Sequence, residues 1–118
     1  MAIKLKGFGG FGGNKYRAKP KIVDGIRFAS TKEANRYVVL KAMQDAGEIS
    51  DLVLQPAFDL IVMGGAKVGV YRADFGYTAF SSGTRIIEDV KSGPTKTAVY
   101  KLKKKIVEAV YGIKILET

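Results

Sequence analysis

Two short apolar runs flank Asp24-Gly25 in the stretch Ile22-Val23-Asp24-Gly25-Ile26-Arg27-Phe28. Asp-Gly supplies the positive φ angles of a type I′ turn, so this segment predicts a hairpin. Ser30-Thr31-Lys32-Glu33 then has the form of a capping box and opens a helix that runs to about Ala46, with Gly47 as its stop. Val38, Val39, Ala42, Met43 and Ala46 recur at helical spacing as its expected apolar arc, which leaves Glu33 opposite, beside Tyr37 and Leu40. A short extended piece at Leu52-Val53-Leu54 and a break at Gln55-Pro56 come next, followed by a strand from Phe58 to Val62 and a turn at Gly64-Gly65. Val68 to Tyr77 reads as one strand, with Tyr71, Ala73, Phe75 and Tyr77 on one face and Asp74 on the other. Ser81-Ser82-Gly83 turns the chain into a strand from Arg85 to Lys91, which Gly93-Pro94 breaks. Thr95 opens a second helix to about Tyr111, with Leu102, Ile106, Ala109 and Val110 as its buried stripe and Lys101, Lys104 and Lys105 projecting from the other side. Gly112 ends that helix, and Ile113 to Leu116 is a last short strand. The expected class is α/β in the broad sense (α+β): an α-β-β-β-α-β core with a mixed central sheet flanked by helices, preceded by a short hairpin.

Residues 1–19 are different in kind. Gly7-Phe8-Gly9-Gly10-Phe11-Gly12-Gly13 sits among lysines and cannot pack, which predicts a flexible basic arm ahead of a single domain at 20–118. Phe8 and Phe11 could stack on bases, or the arm could be a plain tail. The remaining composition, 47% hydrophobic and 26% charged over 118 residues, suits one globular domain. No apolar run reaches membrane-span length and the N-terminus lacks a secretory segment, so the expected location is cytoplasmic, the host cytoplasm for a phage-encoded chain.

Charge adds a partner. The net charge is +9, and Lys4, Lys6, Lys15, Arg17, Lys19 and Lys21 all precede the first acid, Asp24. A second acid-free stretch from Lys91 to Lys105 holds Lys96, Lys101, Lys103 and Lys104. Two basic clusters with the acids held between them fit a polyanion, nucleic acid above all, although such clusters also serve solubility. With no cysteine and no histidine, disulfides and thiolate metal sites are excluded and zinc is disfavoured. Any divalent ion must take oxygen ligands, which points to Mg²⁺ or Mn²⁺.

The candidate chemistry lies in Glu88-Asp89-Val90-Lys91. Asp89 and Lys91 are two apart and leave the same face of a strand. With Ser81-Ser82 as a two-residue loop, Asp74 falls opposite Asp89; with Ser82-Gly83, it falls opposite Lys91. A three-residue loop would instead set Asp74 against Val90 and bring in Glu88. The acid-x-Lys spacing favours Asp89 and leaves Glu88 a structural role. Two acids on one face repel unless a cation lies between them, and a nearby lysine suits the charge that develops on a phosphate in transfer. The bland alternative is that Asp89 and Lys91 form a same-face ion pair on an exposed strand, worth little when solvated. The capping box accounts for Glu33, and the following proline for Gln55.

The segments Ser30-Thr31-Lys32-Glu33-Ala34, Leu54-Gln55-Pro56, Tyr71-Arg72-Ala73-Asp74-Phe75, Glu88-Asp89-Val90-Lys91 and Tyr100-Lys101-Leu102-Lys103-Lys104 occur in this order. With them the chain resembles the PD-(D/E)XK nuclease superfamily, and within it small bacteriophage endonucleases related to Holliday-junction resolvases. Ala73 stands where the superfamily's proline would be. The resemblance implies a restriction-endonuclease-like core and a Mg²⁺-dependent endodeoxyribonuclease acting on branched DNA as a homodimer, with DNA recombination as its setting. A less selective nuclease or nickase and a non-catalytic DNA-binding protein are the alternatives. It further implies that Asp74 and Asp89 ligate the metal with the Val90 carbonyl, and that Glu33 completes the acidic cluster. Lys91 would act on the attacking water or the transition state, and Gln55 would hold a ligand or the phosphate. Lys15, Arg17, Lys19, Lys96, Lys101, Lys104 and Lys105 would contact DNA.

Overall fold

The computed structural model describes residues 19–118. Lys15, Arg17 and all but the last residue of the glycine-rich arm lie outside them. Among the described residues the class is α+β, with two helices, a mixed four-stranded sheet and two small hairpins.

The chain forms two compact units, one ending at Asn35 and one from Arg36 onward. In the first, β1 (Lys21–Val23) pairs antiparallel with β2 (Ile26–Phe28). Asp24 and Gly25 take φ of 53° and 75°, as the Asp-Gly turn requires. Helix α1 (Thr31–Asp45) begins in this unit, where Ser30 Oγ accepts the Glu33 amide at 3.1 Å. It ends in the second unit on Gly47 at φ 81°, where the Glu48 amide reaches back to the Met43 carbonyl. The apolar arc expected for α1 is not the buried one. Ala34, Tyr37 and Leu40 are buried with Glu33, while Val38 and Val39 are half exposed. Hydropathy misled here because Val38 and Val39 are strongly apolar, whereas the buried side of the helix is carried by Ala34, Tyr37 and Leu40.

The main sheet has the order β3 (Ile49–Leu54), β6 (Phe75–Ala79), β7 (Arg85–Asp89), β8 (Ile115–Glu117). The first three strands run antiparallel, and β8 is parallel to β7. The expected short piece at Leu52 to Leu54 is thus the end of a full sheet strand. The segment from Phe58 lies outside this sheet: β4 (Ala57–Ile61) pairs with β5 (Lys67–Arg72) as a separate ribbon. Taken with its helices, the main sheet keeps the α-β-β-β-α-β order.

The long strand expected from Val68 to Tyr77 is two strands, broken at Ala73-Asp74. The Ala73 amide bonds the Pro56 carbonyl at 3.0 Å and the Asp74 amide bonds Glu88 at 3.0 Å, so the chain changes partners there. It also changes faces. Tyr71 and Ala73 pack with Ile87, Ile115 and, from α2 (Ala98–Tyr111), Tyr100 and Val107. Phe75 lies opposite Glu88 on the other side, where Tyr77 donates to Glu88.

Helix α2 opens at Ala98, not Thr95. Thr97 Oγ1 accepts the Tyr100 amide, while Thr95 closes a 3-10 turn onto Ser92. Its expected stripe is also displaced, since Leu102 and Val110 are exposed and Tyr100 and Val107 are buried. Tyr100 and Lys103 cover the core with their stems and send polar tips to Glu117 and the Val70 carbonyl.

Candidate active site

Strands β6 and β7 pair so that positions sum to 163, as in Phe75 with Glu88 and Thr78 with Arg85. Continued one residue past the paired strands, that sum leads from Asp74 to Asp89, although the Asp74 amide itself bonds the Glu88 carbonyl at 3.0 Å. The loop that maintains this register is longer than the expected two residues: the Ala79 amide bonds the Thr84 carbonyl at 2.9 Å, which leaves Phe80 to Gly83 as the turn.

Asp89 is 1% exposed. Its Oδ2 accepts the Tyr71 hydroxyl, and its Oδ1 stands 3.2 Å from Lys91 Nζ. That Oδ1 is buried and accepts no hydrogen bond, so the contact with Lys91 is electrostatic. Lys91 Nζ lies 4.5 Å from the centroid of the Tyr100 ring, a cation–π contact that helps hold the ammonium. The Lys91 backbone is fixed by the hydrogen bond its N–H donates to the Thr118 oxygen at 3.0 Å. Asp74 Oδ2 accepts the Val90 amide at 2.7 Å, so Val90 meets Asp74 through its N–H. The Gln55 amide bonds the Asp74 carbonyl at 2.9 Å, with Gln55 at φ 52°. Gln55 therefore positions Asp74 by its backbone, in a left-handed conformation that costs on the order of 1 kcal/mol.

Tyr71, Asp89, Lys91, Thr97, Tyr100 and Lys103 line a cleft of about 230 Å³. Burial first, and the hydrogen bond to a carboxylate second, push the Tyr71 and Tyr100 hydroxyls well above their ordinary range. Both phenols therefore stay protonated donors at any working pH. Glu33 is buried in the first turn of α1. Among the described residues no three Asp, Glu, His or Cys side chains group as a metal cage. Mg²⁺ does not need one, because it retains waters and takes further ligands from substrate phosphates. Asp74, which accepts the Val90 amide, and Asp89, one of whose oxygens is buried and accepts no hydrogen bond, offer the oxygen donors such an ion takes.

The expected DNA-contacting lysines separate into groups. Lys19 is exposed. Lys96, Lys101, Lys104 and Lys105 line a second cleft of about 500 Å³ with Glu108 and Glu117. Lys96 and Lys104 are ion-paired to Glu117 at 3.0 and 3.4 Å. Sequence reasoning missed Tyr71, Tyr100 and Lys103 as site residues. Tyr71 and Tyr100 look like core aromatics, and only the break at Ala73-Asp74 turns the Tyr71 hydroxyl onto Asp89.

The Tyr100 hydroxyl first, and Lys96 next, hold the Glu117 carboxyl down to about 2. A carboxylate with a lowered folded pKa stabilises the fold above its ordinary value of roughly 4.3. That contribution disappears as pH falls from there towards 2. Glu117→Gln should therefore flatten the loss of thermal stability between those limits. Melting curves of equal slope for both proteins would refute it.

Glu88 is fully buried on the opposite face. Arg36 Nε and Nη2 donate to its two oxygens at 2.8 and 2.6 Å, and Tyr77 adds its hydroxyl. This bidentate pair ties α1 to β7, and with Tyr77 it gives both Glu88 oxygens a donor. The structural role expected for Glu88 is what the fold gives it.

No helix among the described residues is long and apolar enough to cross a membrane. No curated protein and no solved structure matches the chain. A family model does, over residues 13–115, under the description "Protein of unknown function (DUF1064)". That match covers most of the sequence, from the end of the glycine-rich arm through α2 to the start of β8, and the chain belongs to the DUF1064 family.

Proposed function

We propose that this chain is a Mg²⁺- or Mn²⁺-dependent endodeoxyribonuclease of PD-(D/E)XK type. The observation that carries the reading is the cluster at the end of the β6–β7 pair, where Asp74 accepts the Val90 amide and Lys91 stands at the Asp89 oxygen that accepts no hydrogen bond. The metal ion, when bound, would supply an acidified water and neutralise phosphate charge. Asp74 and Asp89 would hold it. Lys91, steadied over Tyr100, would offset the charge that builds on the phosphate oxygens. Lys103, which lines the same cleft, would contact a neighbouring phosphate. Branched DNA as substrate, a homodimer and a cytoplasmic location come with this reading. The exposed apolar row Val99, Leu102 and Val110 on α2 offers a face for a second copy.

One observation favours a second reading, a nucleic-acid-binding protein without turnover. Asp89 is nearly inaccessible and its Oδ2 is taken by Tyr71, as in a purely structural anchor. Incubating the protein with labelled junctions, flaps, duplexes and single strands in Mg²⁺, Mn²⁺ or EDTA separates the two. The nuclease reading expects metal-dependent cuts with ligatable 5′-phosphate and 3′-hydroxyl ends. Binding without cleavage of any substrate would leave only the second.

A further inference from the structure

The cleft along α2 and β8 already holds an anion, and the anion is the protein's own. The Glu117 carboxylate receives the Tyr100 hydroxyl at 2.7 Å, Lys96 Nζ at 3.0 Å and Lys104 Nζ at 3.4 Å. Three donors converging on one carboxylate form the kind of cradle that also suits a phosphate. Lys101 and Lys105, both exposed, line the same space. Glu108, the other acid there, accepts the Ile115 amide at 2.8 Å, so its charge is partly engaged. The side chain of Glu117 is about a quarter exposed, at 26%, and can swing out without disturbing the core.

We propose that this cleft is a second backbone-phosphate subsite for nucleic acid, and that Glu117 occupies it in the ligand-free protein as an internal competitor. The subsite rests on the nuclease reading only in its choice of polymer. A phosphodiester entering the cleft takes over Lys96, Lys104 and the Tyr100 hydroxyl, and Glu117 turns to solvent. Tyr100 links the subsite to the Asp89 cleft, since its ring lies under Lys91 while its hydroxyl serves Glu117. A strand crossing both clefts would therefore be read on either side of one tyrosine. Glu117 also sets a threshold: an isolated phosphate must displace a carboxylate, whereas a polymer engaging Lys101 and Lys105 as well does so more easily.

The test is binding of a labelled 20-nucleotide single strand and a junction in EDTA, so that no cleavage enters. Glu117→Gln should tighten binding about two- to fivefold at low salt, the scale of one partly exposed charge pair. Lys96→Ala/Lys104→Ala should weaken it and lower the slope of log affinity on log salt by about 1 to 2. Lys96→Arg/Lys104→Arg, which keeps both charges, should restore affinity, and far-UV circular dichroism checks that each variant is folded. Unchanged or weaker binding by folded Glu117→Gln would overturn the proposal, as would a salt slope indifferent to Lys96→Ala/Lys104→Ala. These outcomes are independent of turnover. A protein that cuts nothing yet binds as described defeats the nuclease reading alone, and an active nuclease with an indifferent Glu117 defeats the subsite alone.

Discussion

Lys91→Ala should reduce Mg²⁺-dependent DNA cleavage about 100-fold or more, the scale of one lost transition-state donor, while DNA binding in EDTA falls only slightly. Lys91 is one charge among 20 Lys and Arg residues, so its removal barely changes the polymer's attraction to the protein. Its position beside Asp89 is what would make it specific to the reacting phosphate. Asp89→Asn is the companion variant: cleavage should fall at least as far and saturating Mn²⁺ should not restore it. An amide oxygen can still accept the Tyr71 hydroxyl, so the cleft keeps its shape. Single-turnover rates on whichever DNA the wild type cuts best provide the measurement. If Lys91→Ala cuts at the wild-type rate, Asp89 and Lys91 are an ordinary ion pair and the assignment of the cleavage site to them fails.

Arg36→Ala should destabilise the fold by about 3 kcal/mol, with thermal or urea unfolding as the measurement. The loss exceeds that of a surface pair because Glu88 is fully buried and would be left charged, with Tyr77 still donating to it but no cation beside it among the described residues. Arg36 itself is 28% exposed, which keeps the effect at the lower end of the range for broken buried pairs. Burial, and then the bond to Glu88, push Tyr77 up to about 12, so it remains a donor but cannot neutralise the charge. Replacing both partners, Arg36→Met with Glu88→Leu, should recover much of the loss, since no charge is then stranded. A single variant that loses less than about 1 kcal/mol would show that the pair is energetically idle.

Much of the architecture is legible in local chemistry. Asp24-Gly25, Ser30 with Glu33, Gly47 and Gly112 each act within a few residues, so the hairpin, the start of α1 and the ends of both helices follow from short windows. What the windows miss is tertiary. Val38 and Val39 match a buried arc in hydropathy, yet Tyr37 and Leu40 face inward. Leu102 and Val110 match a stripe that Tyr100 and Lys103 cover instead. The alternation from Tyr71 to Tyr77 is unbroken in sequence, but the strand passes from the β4–β5 ribbon to the main sheet in its middle. The same limit applies to the site. Asp74, Asp89 and Lys91 follow from period and register. The Tyr71 hydroxyl on Asp89 depends on that hidden change of sheet, and the capture of Lys96 and Lys104 by Glu117 depends on β8 lying beside β7.

The crossing at Ala73-Asp74 separates where the site points from what it is made of. Three main-chain bonds fix it, from Gln55 to Asp74, from Ala73 to Pro56 and from Asp74 to Glu88, and none of them involves a side chain. Substitutions at Arg72, which lines the cleft, or at the α2 lysines can therefore alter charge and fit without moving position 74. Members of a family built on this crossing could diverge widely in the nucleic acids they accept while presenting the same position to them.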